Sequence, residues 1–262
     1  MKPLAAIAAL LFVSSASAKE LLLSCAPKLE KRTLQVSVFK GLDKADYREL
    51  IVEEAIPGKK KVRSTTYSYD DYVEIWRKPE IKQIPLSYPN SNYTLQGQED
   101  LWTVSWGDSE EQTLTEEETH CTQYAPDFKI QDVSDKKMVR LMDLLKDNKV
   151  VLVNIFNTWC KPCQKETPDL VEVRSEYKEK GVEFVSISTT LEESAAKTAS
   201  FAKRYGMKWP VLFDSNNDVA MDYTIHRVPA TCIVKKDRPI SYCKGGALTK
   251  EKLKELLDQA LR

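Results

Sequence analysis

The chain has 262 residues, which is enough for two ordinary domains, each with its own core. Its 39 basic and 39 acidic side chains balance and are spread along the sequence. This excludes the basic surface that a protein binding nucleic acid or an anionic membrane surface needs. No run in residues 19–262 approaches the ~20 apolar residues of a membrane-spanning helix.

The first residues have the features of a secretory signal peptide. Lys2 precedes a run of ten apolar residues, 4–13, and small residues at 16–18 are followed by a charged pair. The run is about half the length needed to span a bilayer, so an uncleaved anchor is the less favoured alternative. Lipid attachment at Cys25 is a second disfavoured alternative. We therefore expect residues 1–18 to be removed and the protein to be periplasmic or secreted.

Residues 19–125 are expected to form a β-rich domain of unknown function. Apolar and polar residues alternate in 34–38 and in 102–106, which is the period of a half-buried strand. Proline and glycine divide the region into short segments, which suits a meander, a sandwich or a small barrel. The region contains no recognised catalytic motif.

Cys25 and Cys121 lie near the two ends of this region, so a disulfide between them would close most of it into one loop. The number of cysteines is even, and export permits disulfides. On the chain-entropy model a loop of this length contributes roughly 4 to 5 kcal/mol. We interpret this pair as a structural disulfide, and the adjacent His120 as incidental.

Residues 126–262 are expected to form an α/β domain, because strands and helices alternate after a boundary near residues 124–127. The predicted elements are a helix over 138–146, a strand over 150–156, a helix over 160–180, a strand over 182–188, a helix over 192–205, a strand over 211–213, a hairpin over 230–244 that turns at 237–238, and a helix that begins at 249.

The chemistry is concentrated in the sequence Trp159-Cys160-Lys161-Pro162-Cys163, which follows a buried strand and begins a helix. Orphan N–H groups, the helix dipole and Lys161 favour a thiolate at Cys160. We expect Cys160 to be the exposed, attacking sulfur, with a lowered pKa, and Cys163 to resolve the mixed disulfide. Pro162 suits the first helical turn.

Two other uses of this cysteine pair are less favoured. A zinc site would need further ligands, but the chain has no second C-x-x-C and only two histidines, His120 and His226. A purely structural disulfide does not explain the position between a strand and a helix. We expect neither a metal nor another cofactor.

Trp159 to Cys163, together with Glu166, Pro168, Leu170 and Val228-Pro229, resembles the TlpA/ResA branch of the thioredoxin superfamily. The resemblance covers residues 126–262 and implies a thioredoxin fold. It also implies that Pro229 is cis and lies against the disulfide, that Val228 offers backbone groups to an extended substrate, and that Trp159 contributes to substrate binding. A kink at Pro168 inside the helix fits the same pattern.

Glu166 is the candidate proton acceptor. Thioredoxin itself has an aspartate six residues before the first cysteine, but this chain has Asn154 there. Glu166 follows Cys163 by three residues, one helical turn, where its carboxylate could accept the thiol proton. An ordinary surface glutamate is the alternative. A carboxylate near the sulfurs would raise their pKa, which leaves the net effect on the cysteines open.

Cys232 and Cys243 depart from the minimal family pattern. If the hairpin turns at 237–238, the two residues lie opposite each other on neighbouring strands, within reach of a disulfide. We favour a structural disulfide over two free thiols. A second redox centre is disfavoured further, because strand positions lack activation by a helix terminus.

The resemblance implies an exported enzyme that reduces protein disulfides with electrons from a membrane donor. The residues between the cysteines leave oxidation and isomerisation open, and dimerisation through the N-terminal half would favour an isomerase. A different class of function, also open, is a ligand- or protein-binding module in which the thioredoxin-like domain is only a support.

Overall fold

The structure, a computed structural model, describes residues 19–25, 33–41, 48–55, 63–67, 82–88, 91–98, 101–107, 121–223 and 225–262. The predicted signal peptide and His120 lie outside these ranges. Within them, no helix is both long enough and apolar enough to cross a membrane.

The described N-terminal residues are extended strands. They are β1 (Lys19–Cys25), β2 (Thr33–Gly41), β3 (Arg48–Ala55), β4 (Arg63–Tyr67), β5 (Lys82–Tyr88), β6 (Ser91–Gln98), β7 (Leu101–Gly107) and β8 (Cys121–Gln123). One sheet has the order β4-β3-β2-β1-β8 and another the order β5-β6-β7. All of these pairs are antiparallel. β8 pairs with β1, so the last strand of the five-stranded N-terminal sheet lies beside its first strand.

Strands and helices alternate in the C-terminal half. They are β9 (Lys129–Gln131), β10 (Met138–Arg140), α1 (Leu141–Asp147), β11 (Val150–Phe156), α2 (Lys161–Tyr177), β12 (Val182–Ser188), α3 (Ala195–Tyr205), β13 (Val211–Phe213), α4 (Asp218–Asp222), β14 (Ala230–Lys235), β15 (Ile240–Gly245) and α5 (Lys250–Leu261). A short 3₁₀ turn, Lys178–Lys180, follows α2.

These elements form the expected thioredoxin fold around a mixed sheet of order β13-β12-β11-β14-β15. β11 is parallel to β12 and antiparallel to β14. Its sequence, VVLVNIF, is almost continuously apolar, and all seven of its residues are buried. This is the composition expected of a central strand that is covered on both faces.

Two hydrophobic clusters cover the two faces of this sheet. The first joins alternate residues of β11 to α2, α3 and α5, and includes Leu152, Leu170, Phe184, Phe201 and Leu257. The second joins the other residues of β11 to α1 and α4, and includes Leu141, Leu145, Val153, Val219 and Cys232. The active-site helix α2 therefore packs on one face only, with its N terminus at the end of β11.

The predicted helix over 138–146 is wrong in its first turn, because Met138–Arg140 is a strand paired with Lys129–Gln131. The cause is the turn between them. The carboxylate of Asp132 accepts hydrogen bonds from the N–H groups of Ser134 at 2.6 Å and Asp135 at 3.2 Å. It also accepts one from the distant Val211 N–H at 2.8 Å, which fixes the hairpin against β13.

Two other boundaries differ from expectation. The predicted helix over 192–205 begins later, because the hydroxyl of Ser194 accepts a hydrogen bond from Lys197 N–H and caps α3. Helix α4 was not predicted; its first N–H groups, of Asp218 and Val219, donate to the buried carboxylate of Asp214.

The predicted hairpin and final helix are confirmed. Asp237 and Arg238 both have positive φ, 67° and 75°, and lie in the three-residue loop 236–238, which is closed by the Lys235 N–H donating to the carbonyl oxygen of Pro239 at 2.9 Å. The hydroxyl of Thr249 accepts a hydrogen bond from Lys252 N–H and caps α5. The hairpin matters for the site because β14 begins directly after Pro229.

Candidate active site

The cysteine pair lies at the N terminus of α2, immediately after the turn that follows β11. Cys160 is the N-cap residue and is joined to Cys163 by a disulfide, with their Cα atoms 5.2 Å apart. The N–H of Cys163 donates to Sγ of Cys160 at 3.2 Å. Pro162 occupies the first helical turn, as its missing N–H predicts.

Both cysteines are buried in this oxidised form. Cys160 is 4% exposed and Cys163 is 2% exposed, and both belong to the first hydrophobic cluster. The expectation that Cys160 is exposed is therefore wrong for the disulfide form, because the closed ring folds its sulfur back against the helix and the cluster. The exposed residues here are its neighbours Trp159 and Lys161.

Glu166 is buried in α2, with 3% of its surface exposed, so it is not an ordinary surface glutamate. Its Oε1 accepts a hydrogen bond from the N–H of Leu248 at 2.8 Å, and its Oε2 has no hydrogen-bond partner among the described residues. Burial raises the pKa of Glu166 to about 7; the Leu248 hydrogen bond opposes this shift and the charge of Asp169 adds to it.

A cleft of about 470 Å³ lies beside this helix terminus. It is lined by Lys161, Pro162, Lys165, Glu166, Asp169 and residues 247–251. A carboxyl group with a pKa near 7, next to a cysteine pair, can accept or return a proton at neutral pH.

Val228 and Pro229 lie directly before β14. The peptide bond between them is cis. Val228 is half-buried and packs against the cluster that contains Cys160 and Cys163. The carbonyl oxygen of Pro229 accepts a hydrogen bond from Gly246 N–H at 2.7 Å, which ties this loop to the end of β15.

Asn154 lies in the middle of β11 and is 3% exposed. Its Oδ1 accepts a hydrogen bond from the hydroxyl of Ser186 at 3.3 Å, and its Nδ2 has no hydrogen-bond partner within the described ranges. An amide does not exchange protons as a carboxyl group does, so Asn154 cannot be the proton acceptor. On α2, Glu166 is the only carboxyl residue that is buried.

Cys232 and Cys243 are register partners on β14 and β15 and form a disulfide. Cys232 is fully buried in the second cluster and lies within β14, not at a helix terminus. Cys25 and Cys121 are register partners on β1 and β8.

In the described ranges, no group of acidic, histidine or cysteine residues is arranged to hold a metal.

The residues outside α2 that form hydrogen bonds with the turn before Cys160 were not predicted from the sequence. Thr158 donates two hydrogen bonds to Glu193, which lies between β12 and α3. The only sequence signal was a polar segment, residues 189–194, at the expected edge of the sheet. That signal does not select Glu193 from its neighbour Glu192.

A thioredoxin-type sheet with a cysteine pair at the N terminus of the helix after its central strand defines a thiol-disulfide oxidoreductase. Residues 121–243 match the AhpC/TSA family. The thiol-disulfide oxidoreductase ResA of Bacillus thuringiensis subsp. konkukian is 35% identical over 142 residues, which cover 54% of this chain and 79% of that protein. ResA of Oceanobacillus iheyensis is 36% identical over 137 residues, 51% of this chain and 69% of that protein.

The chain belongs to the ResA family of thiol-disulfide oxidoreductases and is a redox enzyme. Among solved structures, it is similar to a putative thiol:disulfide interchange protein DsbE from Chlorobium tepidum. The TM-score is 0.49 at 22% identity, covering 54% of this chain and 97% of that one.

Proposed function

We propose that this enzyme reduces disulfides of protein substrates in the periplasm or outside the cell. The observation that carries the proposal is the disulfide at the N terminus of α2 together with the buried Glu166 one turn further along the same helix. The apolar signal-like segment, residues 4–13, supports export.

The first step is attack by the reduced enzyme. The helix dipole, the N–H of Cys163 and the positive charge of Lys161 stabilise a thiolate at Cys160. This thiolate attacks one sulfur of the substrate disulfide, a Cys160 to substrate bond forms, and the other substrate sulfur leaves as a thiolate.

The second step needs a proton acceptor. Cys163 is buried, and Glu166 lies three residues later, on the same face of α2. Glu166 accepts the proton of Cys163, whose thiolate attacks Sγ of Cys160 and releases the second substrate thiolate. The products are the Cys160–Cys163 disulfide and a reduced substrate, and a membrane donor returns two electrons to the enzyme.

Substrate binding is assigned to Trp159, Val228 and Pro229, and this assignment follows the family resemblance. An extended substrate segment pairs with the backbone of Val228. Cys232–Cys243 and Cys25–Cys121 are structural disulfides in this proposal, and residues 19–125 are a separate domain joined near residue 125.

Insulin reduction by the full chain, with dithiothreitol as the donor, tests the proposal. We expect turnover by wild type and by a Cys232→Ala/Cys243→Ala variant, and none by Cys160→Ser. A matched assay of scrambled ribonuclease distinguishes reduction from isomerisation. Recovery of ribonuclease activity without insulin reduction would replace the reductase proposal with an isomerase.

A further inference from the structure

Two lysines of α5 form ion pairs with the active-site helix α2. Lys250 Nζ lies 3.9 Å from Oδ1 of Asp169 and also pairs with the carboxylate of Glu172, so it joins the first turn of α5 to α2. Lys254, one turn later, pairs with Oε2 of Glu176 at 2.5 Å. The two helices are therefore bridged twice, once at the start of α5 and once a turn further along.

The Lys250 bridge is the one that lies next to Glu166. Lys250 follows Leu248 by two residues, and the N–H of Leu248 donates the 2.8 Å hydrogen bond to Oε1 of Glu166. Asp169 follows Glu166 by three residues, which puts the two carboxyl groups on the same side of α2. Lys250, Glu166 and Asp169 all line the cleft beside the active site. The other charged residues that line this cleft are Lys161, Lys165 and Glu251.

This position lets Lys250 influence the proton affinity of Glu166 in two ways. Burial raises the pKa of Glu166, the Leu248 hydrogen bond lowers it, and the negative charge of Asp169 raises it again. A cation 3.9 Å from Asp169 offsets that negative charge. The same cation ties the start of α5 to α2, which keeps the Leu248 N–H within reach of Oε1. Both effects favour the ionised form of Glu166 against its burial.

We propose that Lys250 is a positioning residue for Glu166. Its two ion pairs hold the first turn of α5, and with it the Leu248 N–H, against the active-site helix. Its charge also offsets that of Asp169. The inference rests on the proposed function, in which Glu166 takes the proton of Cys163. Lys250 acts through Leu248 and Asp169 and not on the cysteines themselves.

The proton affinity of Glu166 can be measured directly in the oxidised full chain. With ¹³C in the glutamate carboxyl groups, NMR follows the titration, and the loss of one resonance in Glu166→Gln identifies Glu166. Lys250→Met keeps an apolar stem and removes the charge. We expect it to raise the pKa of Glu166 by about 0.5, the size expected for one charge at a partly exposed site. Lys250→Arg keeps the charge and should leave the pKa near its wild-type value.

Lys254→Met is the matched control, because it removes the other ion pair between α5 and α2. It should leave the pKa of Glu166 unchanged. Partly exposed ion pairs contribute little to global stability, so all three lysine variants should fold. The positioning role is overturned if Lys250→Met leaves the pKa of Glu166 at its wild-type value, or if Lys254→Met or Lys250→Arg raises it by as much as Lys250→Met does.

The rate of resolution separates this inference from the reductase proposal. A higher pKa leaves less of Glu166 ionised in acid, so Lys250→Met should resolve the mixed disulfide about threefold more slowly than wild type at pH 6 and at a similar rate at pH 8.5. Suppose instead that the pKa of Glu166 rises in Lys250→Met while resolution at pH 6 keeps its wild-type rate. Glu166 is then not the proton acceptor of the proposed reductase, and the positioning role of Lys250 stands.

Discussion

The N–H of Leu248 donates a 2.8 Å hydrogen bond to Oε1 of Glu166, which joins the loop before α5 to the active-site helix. This bond satisfies one carboxyl oxygen while the side chain remains out of water. Burial outweighs it, so the pKa of Glu166 is raised from 4.5 to about 7. The first prediction follows from that shift.

Glu166→Gln should change how stability depends on pH. Between pH 4.5 and 7 the folded state of wild type binds more protons than the unfolded state, so wild-type stability falls as pH rises through this range. Glutamine removes that loss. We expect the unfolding free energy of Glu166→Gln, relative to wild type, to increase by about 3 kcal/mol from pH 4 to pH 8.

Urea denaturation of the oxidised proteins at both pH values measures this difference. Glu179→Gln is the matched control, because Glu179 lies on an exposed turn in contact with water. A difference between Glu166→Gln and wild type that stays constant with pH would contradict the raised pKa.

Single-cysteine variants should reveal the order of the two sulfurs. Cys163→Ser should accumulate a mixed disulfide between Cys160 and the substrate, because no resolving thiolate remains. Cys160→Ser should trap nothing, because Cys163 lies inside α2 and lacks the N-cap position that stabilises a thiolate at Cys160. Non-reducing electrophoresis and peptide mapping give the measurement. Equal trapping by the two variants would reverse or remove the assigned roles.

The rate of resolution should depend on Glu166 once Cys160 has attacked. Glu166→Gln keeps the size of the side chain and an acceptor for Leu248 N–H, but it loses the base. We expect resolution to slow by about 10²-fold, with a smaller effect on the first attack. Rapid-quench measurement of the mixed disulfide across pH 6 to 9 tests this. Wild-type resolution rates throughout that range would exclude Glu166 as the proton acceptor.

The Cys232–Cys243 disulfide should matter for stability and not for turnover. It encloses a loop with a sequence separation of 11, for which the chain-entropy model gives about 3 kcal/mol. Cys232→Ala/Cys243→Ala should lose roughly that much unfolding free energy and still reduce insulin.

Titration of wild type in glutathione buffers should show one two-electron step, at Cys160–Cys163. Reduction of Cys232–Cys243 at the same potential would define a second redox centre.

Glu193→Gln should loosen the active-site turn, because the amide keeps one acceptor oxygen where the carboxylate has two. We expect faster hydrogen exchange at the Thr158 amide and a broadened indole resonance of Trp159 in fluorotryptophan spectra. Glu192→Gln makes the same charge change one residue earlier and should alter neither. If both variants behave alike, the effect belongs to charge and not to the hydrogen bonds of Glu193.

Local pattern was sufficient for the parts of the fold that depend on local contacts. The apolar run of β11, the turn at Asp237 and Arg238, and the cap at Thr249 each follow from a few neighbouring residues. The position of the cysteine pair at the start of a helix follows from the same kind of signal.

The errors and omissions arise from contacts between distant segments. The hairpin at Met138–Arg140 depends on Asp132 reaching Val211, 79 residues away. The burial of Glu166 depends on Leu248, 82 residues away, and the role of Glu193 depends on Thr158, 35 residues before it. The sequence pattern indicates that such residues are polar, but it does not show which backbone groups they meet.

The pairing of β1 with β8 has a consequence for how such a protein can evolve. Because β8 lies beside β1, the segment between these two strands begins and ends at neighbouring positions of one sheet. Insertions, deletions and substitutions within that segment need not move residue 121 or anything that follows. That segment can therefore change in sequence without disturbing residues 121–243, the part of the chain that matches the AhpC/TSA family.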